Sequence, residues 1–208
     1  MSLEFWCPLR PEAAAVRRGA RNARVVRTGM GPRRAAAFAA GRWVPGDRRP
    51  GAIVVGLAGA VTDSLEPGDV IVADTVHGPG PDRSAWGQAA ETVRVELREA
   101  GVSAVRGPVR SVTRAVRGAE RRRLAGDGAL AADMESWWLL AADPAPLAVV
   151  RVVCDTPAAE LVSLSLPWRA RRALAVISRI AAALSSRETP IAPDRWRGLE
   201  RAAPGGSS

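Results

Sequence analysis

Six short apolar runs punctuate the chain: "EFWCPL" (4–9), "ARVVRTG" (23–29), "GAIVVGLAG" (51–59), "DVIVAD" (69–74), "VRGPVRSV" (105–112) and "PLAVVRVVCD" (146–155). Each is bounded by glycine, proline or an acidic residue and has the length of a strand. Several are apolar at successive rather than alternate positions, the pattern of strands covered on both faces. Between them lie helix-like segments at 11–19, 33–41, 86–100, 129–142 and 167–184. This alternation predicts an α/β fold, a three-layer α/β/α sandwich around a central mixed or mostly parallel sheet. The stretch "GPGPDRSA" (78–85) reads as a loop, and no internal repeat stands out. Residues 1–184 are expected to form one domain and 185–208 a loosely structured tail.

At 208 residues and 47% hydrophobic, the chain can bury one core but is too short for two ordinary domains. All 30 basic residues are arginine and tyrosine is absent, a composition that looks like codon bias toward GC-rich codons. The formal charge of +9 admits a nucleic-acid or anionic-membrane partner. The arginines are scattered, however, through "RRGARNARVVR", "GPRRAA", "ERRR" and "RARRA". Clusters of this kind usually lie on solvated helix faces, so nucleic acid is not the expected partner. Cys7 and Cys154 each sit inside an apolar run and not at metal-ligand spacing, which predicts buried reduced thiols, no disulfide and no metal site. The N-terminus lacks a basic region followed by a long apolar stretch, and no run of about 18 apolar residues occurs, so a soluble cytoplasmic protein is expected.

Ligands in α/β sheets bind beyond the carboxyl ends of strands, which singles out "TGMGP", "GLAGA", "ADTVHG" and "CDTPA". In the first, a strand ends in Gly29 and Gly31 and opens into a helix at Pro32. Such a turn can offer backbone N–H groups to an anion or to sugar hydroxyls, with Arg33 and Arg34 nearby, or can be a turn built for geometry alone. In the second, the small residues Gly56, Ala58, Gly59 and Ala60 either let a ligand reach the backbone or let the turn pack on its neighbours. A third stretch, "AADMESWWLL" (131–140), sets Asp133 and Glu135 either side of Met134 at the mouth of an apolar segment. Asp133 can cap a helix, where the macrodipole favours a carboxylate. Glu135 is harder to explain that way. One inward-facing carboxylate can accept two hydrogen bonds from a vicinal diol such as that of ribose, with Met134 covering the sugar face. In the fourth, an apolar strand ends in Asp155. That carboxylate either caps the next segment or, partly buried, moves from about 3.9 toward neutrality and becomes a proton donor to a leaving group.

Taken in order, these stretches resemble the purine/uridine phosphorylase superfamily, especially its branch of 5′-methylthioadenosine/S-adenosylhomocysteine nucleosidases, over most of residues 5–160. "TGMGP" is similar to the family's first glycine loop, "GLAGA…EPGDVIVAD" to its second glycine turn and the strand that follows, "DMES" to its methionine–glutamate ribose motif, and "VRVVCDTPA" to the strand ending in its catalytic aspartate. "PLRPEAAAVRRG" and "RTGMGPRRAA" most resemble the hopanoid-associated phosphorylases. The resemblance implies cleavage of the N-glycosidic bond of a 5′-substituted adenosine-type nucleoside, with adenine removal from adenosylhopane as one instance. Asp155 would donate a proton toward the purine N7, and Glu12 would orient or deprotonate the attacking water. Glu135 and Met134 would hold the ribose, and Asp133, Ala58, Gly59 and Cys154 would be further substrate contacts. Gly29, Gly31 and Arg33 would form a phosphate or ribose loop. No metal or organic cofactor is implied, inorganic phosphate being a co-substrate if the reaction is a phosphorolysis. A homodimer whose partner helps close the pocket and a membrane-proximal, lipid-linked substrate are also expected.

This chain departs from the family in three ways. Leu57 stands where serine or threonine often helps hold the nucleophile, "VRSVTRAV" (109–116) replaces the usual serine–glycine–aspartate segment with its purine-stacking phenylalanine, and the chain is somewhat short. These departures motivate a different class of function, a degenerate, non-catalytic member of the fold whose basic surface binds a nucleotide, nucleic acid or a membrane. The presence of Glu12, Glu135 and Asp155 together argues for the enzyme, because a binding module needs no buried proton donor.

Overall fold

The computed structural model describes residues 3–42, 51–85, 87–142, 145–158 and 166–186. Along them run β1 (Glu4–Cys7), α1 (Arg10–Gly19), β2 (Arg24–Arg27), α2 (Pro32–Ala40), β3 (Ala52–Ala60), β4 (Val70–His77), α3 (Gly87–Glu99), β5 (Ala104–Ser111), α4 (Gly118–Gly126), β6 (Ala131–Asp133), α5 (Ser136–Leu139), β7 (Ala148–Asp155) and α6 (Leu166–Ser185). The six apolar runs become β1 to β5 and β7, and the strands join in one mixed sheet. β2, β1, β3 and β7 lie parallel, β4 is antiparallel to β7, and β5 is parallel to β4. The short β6 then pairs parallel with β5 and antiparallel with the end of β3, through Gly59↔Ala132 and Ala60↔Ala131. β3, β7, β4, β5 and β6 thereby close into a ring.

The sequence of β7 shows why helices cover both faces. Successive strand residues point to opposite sides, so an unbroken apolar run needs two covers. Val150 and Val152 pack with Phe5, Val16, Leu97 and Ile177 in the layer that includes α1, α3 and α6. Val149 and Val153 join Val54, Ile71, Ala35 and Leu139 in the layer of α2 and α5. Burying each such side chain contributes about 1.5–3 kcal/mol, so each layer fixes its own helices on the sheet. The segment 78–85 is a loop outside the named elements. It is pinned by Trp137, whose Nε1–H donates to the Pro81 carbonyl at 2.9 Å and whose ring lies 3.9 Å from the Arg83 guanidinium carbon.

Two expectations change. The helix expected over 129–142 is instead the strand β6 followed by the single turn α5. Local propensity there favours helix, but pairing with both β3 and β5 draws Ala131–Asp133 into the sheet. A helix absent from the sequence reading, α4, occupies Gly118–Gly126. The "ERRR" cluster on it is not a wholly solvated face, since Arg121 is buried. Of the tail expected from residue 185 on, Ser185 closes α6 and residues 187–208 lie outside the described residues. No described helix is long and apolar enough to cross a membrane.

Candidate active site

A cavity of about 170 Å³ lies at the carboxyl ends of β3 and β7. It brings together Glu12, Ala58, Gly59, Asp133, Met134, Glu135, Cys154 and Asp155, all singled out in the sequence. Leu9, Met30, Leu57, Val112, Ala115, Val116 and Arg121 line it too. Gly29, Gly31 and Arg33 do not; Met30 reaches in from their loop, while Arg33 on α2 is exposed to solvent.

Glu12 enters the site from the first turn of α1. Its Oε2 accepts the Leu9 N–H at 2.7 Å, which satisfies a donor left free at the helix start. Its Oε1 accepts the Leu57 N–H at 2.8 Å, tying α1 to the end of β3. Burial pushes the Glu12 carboxyl pKa up, against the pull of the Leu57 and Leu9 N–H groups and of Arg151. Arg151 is a fully buried cation inside the otherwise apolar β7. Its Nη2 meets Asp133 Oδ2 at 2.7 Å, and its Nε and Nη2 donate to Ser136 Oγ at 3.1 and 2.8 Å. Burial works against its charge, yet Asp133, Glu135 and Glu12 outweigh that cost and push its pKa up. Gly56 makes the arrangement possible. A Cβ at that position would stand 2.3 Å from Arg151 Nη1 and 3.0 Å from Glu12 Oε1.

Asp133 ends β6 and is held on all sides. Ser111 Oγ donates to its Oδ1 at 2.5 Å, Ser136 Oγ donates to its Oδ2, and the N–H groups of Glu135 and Ser136 reach it at 3.2–3.3 Å. It lines the cavity, but its carboxylate is committed to Arg151 and to the start of α5. Glu135 follows with its Oε1 accepting the Gly31 N–H at 2.8 Å. Gly31 can turn that N–H inward because its φ of 87° suits glycine. The donor that could have met a phosphate at the start of α2 is therefore already bound to a carboxylate. Glu135 itself is pushed up to about 7, mainly by burial and further by Asp133 and Glu12, while Arg151 and the Gly31 N–H pull the other way.

Asp155 closes β7 and is buried. Its Oδ2 is ion-paired with Arg121 Nη2, and its Oδ1 receives the Cys154 Sγ–H at 3.4 Å. Gly59 leaves room for the pair, since a Cβ there would lie 2.8 Å from Asp155 Oδ1 and 3.1 Å from Arg121 Nη2. The small residues at the end of β3 thus admit the protein's own charged groups. Burial pushes the Cys154 thiol up to about 12.

A family model described as the phosphorylase superfamily matches residues 14–185. The chain belongs to this superfamily. No curated protein sequence matches it. Its fold is that of several solved structures. The 5′-methylthioadenosine/S-adenosylhomocysteine nucleosidase of Campylobacter jejuni superposes with a TM-score of 0.73 at 13% identity, covering 90% of this chain and 100% of that one. The futalosine hydrolase of Helicobacter pylori gives 0.73 at 13% identity, covering 88% and 96%. The methylthioadenosine/S-adenosylhomocysteine nucleosidase of Streptococcus pneumoniae, in complex with 8-aminoadenine, gives 0.67 at 20% identity, covering 88% and 100%.

Two arginines of this phosphorylase-superfamily chain, Arg151 and Arg121, were not singled out in the sequence, nor was Ser136. Arg151 carried a readable signal, because a charge inside a strand covered on both faces has to be paired. Arg121 carried none, sitting in a run of arginines indistinguishable from a surface cluster. The 109–116 segment, which departs from the family pattern, contributes Val112, Ala115 and Val116 to the cavity wall.

Proposed function

We propose that this protein hydrolyses the N-glycosidic bond of a purine nucleoside. The observation that carries the reading is the meeting of Glu12, Glu135 and Asp155, brought from distant parts of the chain, around one cavity that Met134 also lines. Glu135 accepts the ribose hydroxyls and Met134 packs on the sugar. Asp155 passes a proton toward N7 as the bond to the sugar breaks and negative charge builds on the base, a contribution of about 10²–10⁴ in rate. Arg121 occupies Oδ2, so Oδ1, which also accepts the Cys154 S–H, is the oxygen left to meet the base. Glu12 takes a proton from the water that attacks the anomeric carbon; each of its oxygens accepts one backbone N–H and keeps a lone pair for this.

Water is favoured over phosphate by the charge of the site. Three carboxylates, Glu12, Asp133 and Glu135, act on the single guanidinium of Arg151. A phosphate dianion added to that group meets repulsion at short range. With Gly31 bound to Glu135 and Arg33 in solvent, the expected anion loop does not offset it. No metal or organic cofactor has a part in the scheme. The family resemblance adds an adenosine-type substrate with an apolar 5′ substituent, adenosylhopane being the instance, and a cytoplasmic homodimer. Leu9, Met30 and Val112 on the cavity wall suit an apolar group at C5′.

The test is base release from adenosine, inosine, 5′-methylthioadenosine, S-adenosylhomocysteine and a long-chain 5′-alkyl adenosine, with and without phosphate, in wild type and Asp155→Asn. Release that needs no phosphate and falls at least 100-fold in the variant supports the reading. Phosphate-dependent release would replace hydrolysis by phosphorolysis, and no release from any of them would leave the binding-module reading.

A further inference from the structure

The loop 78–85 lines no part of the cavity, yet it holds a side chain two residues from Glu135. The loop is tied across its ends, the Val76 N–H donating to the Arg83 carbonyl at 2.6 Å and the Arg83 N–H to the Val76 carbonyl at 3.0 Å. Against it lies the indole of Trp137. The Pro81 carbonyl accepts its Nε1–H at 2.9 Å, and the Arg83 guanidinium carbon lies 3.9 Å from the ring. A Cβ at Gly78 would stand 2.2 Å from ring atoms Cδ1 and Cγ, and one at Gly80 would stand 2.9 Å from Cζ2. Neither glycine has a positive φ. Close approach of the indole, and not the course of the backbone, is therefore what requires glycine at both positions.

From Trp137 a short chain of bonds leads into the site. Its main-chain N–H donates to Ser111 Oγ at 2.9 Å, Ser111 Oγ donates to Asp133 Oδ1 at 2.5 Å, and Asp133 accepts the Glu135 N–H at 3.3 Å. Met134 and Glu135 thus lie between two anchors, Asp133 on Arg151 and Trp137 on its loop. Glu135 Oε1 is taken by the Gly31 N–H, so how Oε2 meets a sugar depends on the main chain that carries it. We propose that Trp137 is a positioning residue: clasped by the 78–85 loop, it fixes the start of α5 and aims Glu135 at the ribose, so that this loop sets how strictly the site demands the sugar hydroxyls. The inference rests on the reading that Glu135 holds the ribose. An indole turns about only two side-chain torsions, so a clasp on the ring leaves the main chain little freedom. A displacement of about 1 Å at a binding group can cost on the order of 100-fold in rate.

The experiment compares kcat/KM for base release from adenosine, inosine and 5′-methylthioadenosine with that from their 3′-deoxy counterparts, in wild type, Gly78→Ala and Trp137→Leu. Wild type is expected to favour the nucleoside that keeps its 3′-hydroxyl by about 10- to 100-fold, the contribution of a hydrogen bond to a charged group. Gly78→Ala, which presses on the indole from outside the cavity, and Trp137→Leu, which removes the clasped ring, should each lower that preference by about 10-fold. Gly126→Ala, where a Cβ meets nothing within 4 Å, should keep the wild-type ratio. The ratio within a pair does not depend on the fraction of protein that is folded, so a variant that is merely destabilised keeps it. A preference that persists undiminished in both clasp variants would overturn the inference and leave the ribose reading intact. A wild type that cleaves both members of each pair equally would overturn the assignment of Glu135 to the ribose, and no release from any of the six would overturn nucleoside cleavage; the inference falls with either.

Discussion

Glu135 offers the sharpest test of how the site is charged. Its carboxyl is raised from 4.5 to about 7, chiefly by burial. Between those values the folded protein holds a proton that the unfolded chain has already released. Stability therefore falls as pH rises through that window and levels off above about 7. The difference between 4.5 and about 7 corresponds to at most about 3 kcal/mol. Glu135→Gln removes the titration and keeps an amide oxygen for the Gly31 N–H. Urea unfolding of both proteins at pH 5, 6, 7 and 8 measures the effect. Relative to wild type, the variant should gain about 2–3 kcal/mol on going from pH 5 to pH 8. A difference between the two proteins that does not change with pH would show that Glu135 is ionised throughout and would refute the assignment. In the same window kcat/KM for base release should climb as Glu135 ionises and becomes the better acceptor for ribose hydroxyls; that limb should be missing in the variant.

Three further outcomes follow from the packing. Arg151→Met strands the buried Asp133 carboxylate and should cost about 3–5 kcal/mol, part of it recovered in the double variant with Asp133→Asn; a loss below about 1 kcal/mol in urea unfolding would contradict the pairing. Gly56→Ala puts a Cβ 2.3 Å from Arg151 Nη1 and should cost about 1–3 kcal/mol, whereas Gly126→Ala on α4, where a Cβ meets nothing within 4 Å, should be neutral or stabilising by thermal melting. With burial raising both thiols, that of Cys154 to about 12, neither cysteine should react with a chromogenic disulfide at pH 8 until the protein is unfolded; prompt labelling of the native protein would show a more open site.

Much of the architecture was legible because its signal is local. Apolar runs such as "GAIVVGLAG" and "PLAVVRVVCD" announce covered strands, and Asp155 at a strand end, Glu135 beside Met134 and Glu12 from the family resemblance all line the same cavity. What failed was decided at long range. "AADMESWWLL" is composed of helix formers, and only the ladders with β3 and β5 make its first residues a strand. α4 has no apolar stripe, burying only Arg121 and Leu124 among its nine residues, so periodicity could not find it. The glycine loop at 29–31 was read as an open donor, and its acceptor lies 104 residues away in Glu135.

The closure of the sheet by β6 has a consequence for the order in which the molecule is made. Gly31 leaves the ribosome early, but its acceptor Glu135 comes only when residues 131–155 follow and β6 and β7 dock on the two edges of β3. Pairings of such long range form late and slowly. Adding β7, the last strand among the described residues, and completing the site are therefore one event, and a nucleoside that spans Glu135 and Asp155 would bind only the closed ring, favouring folding in proportion to its occupancy.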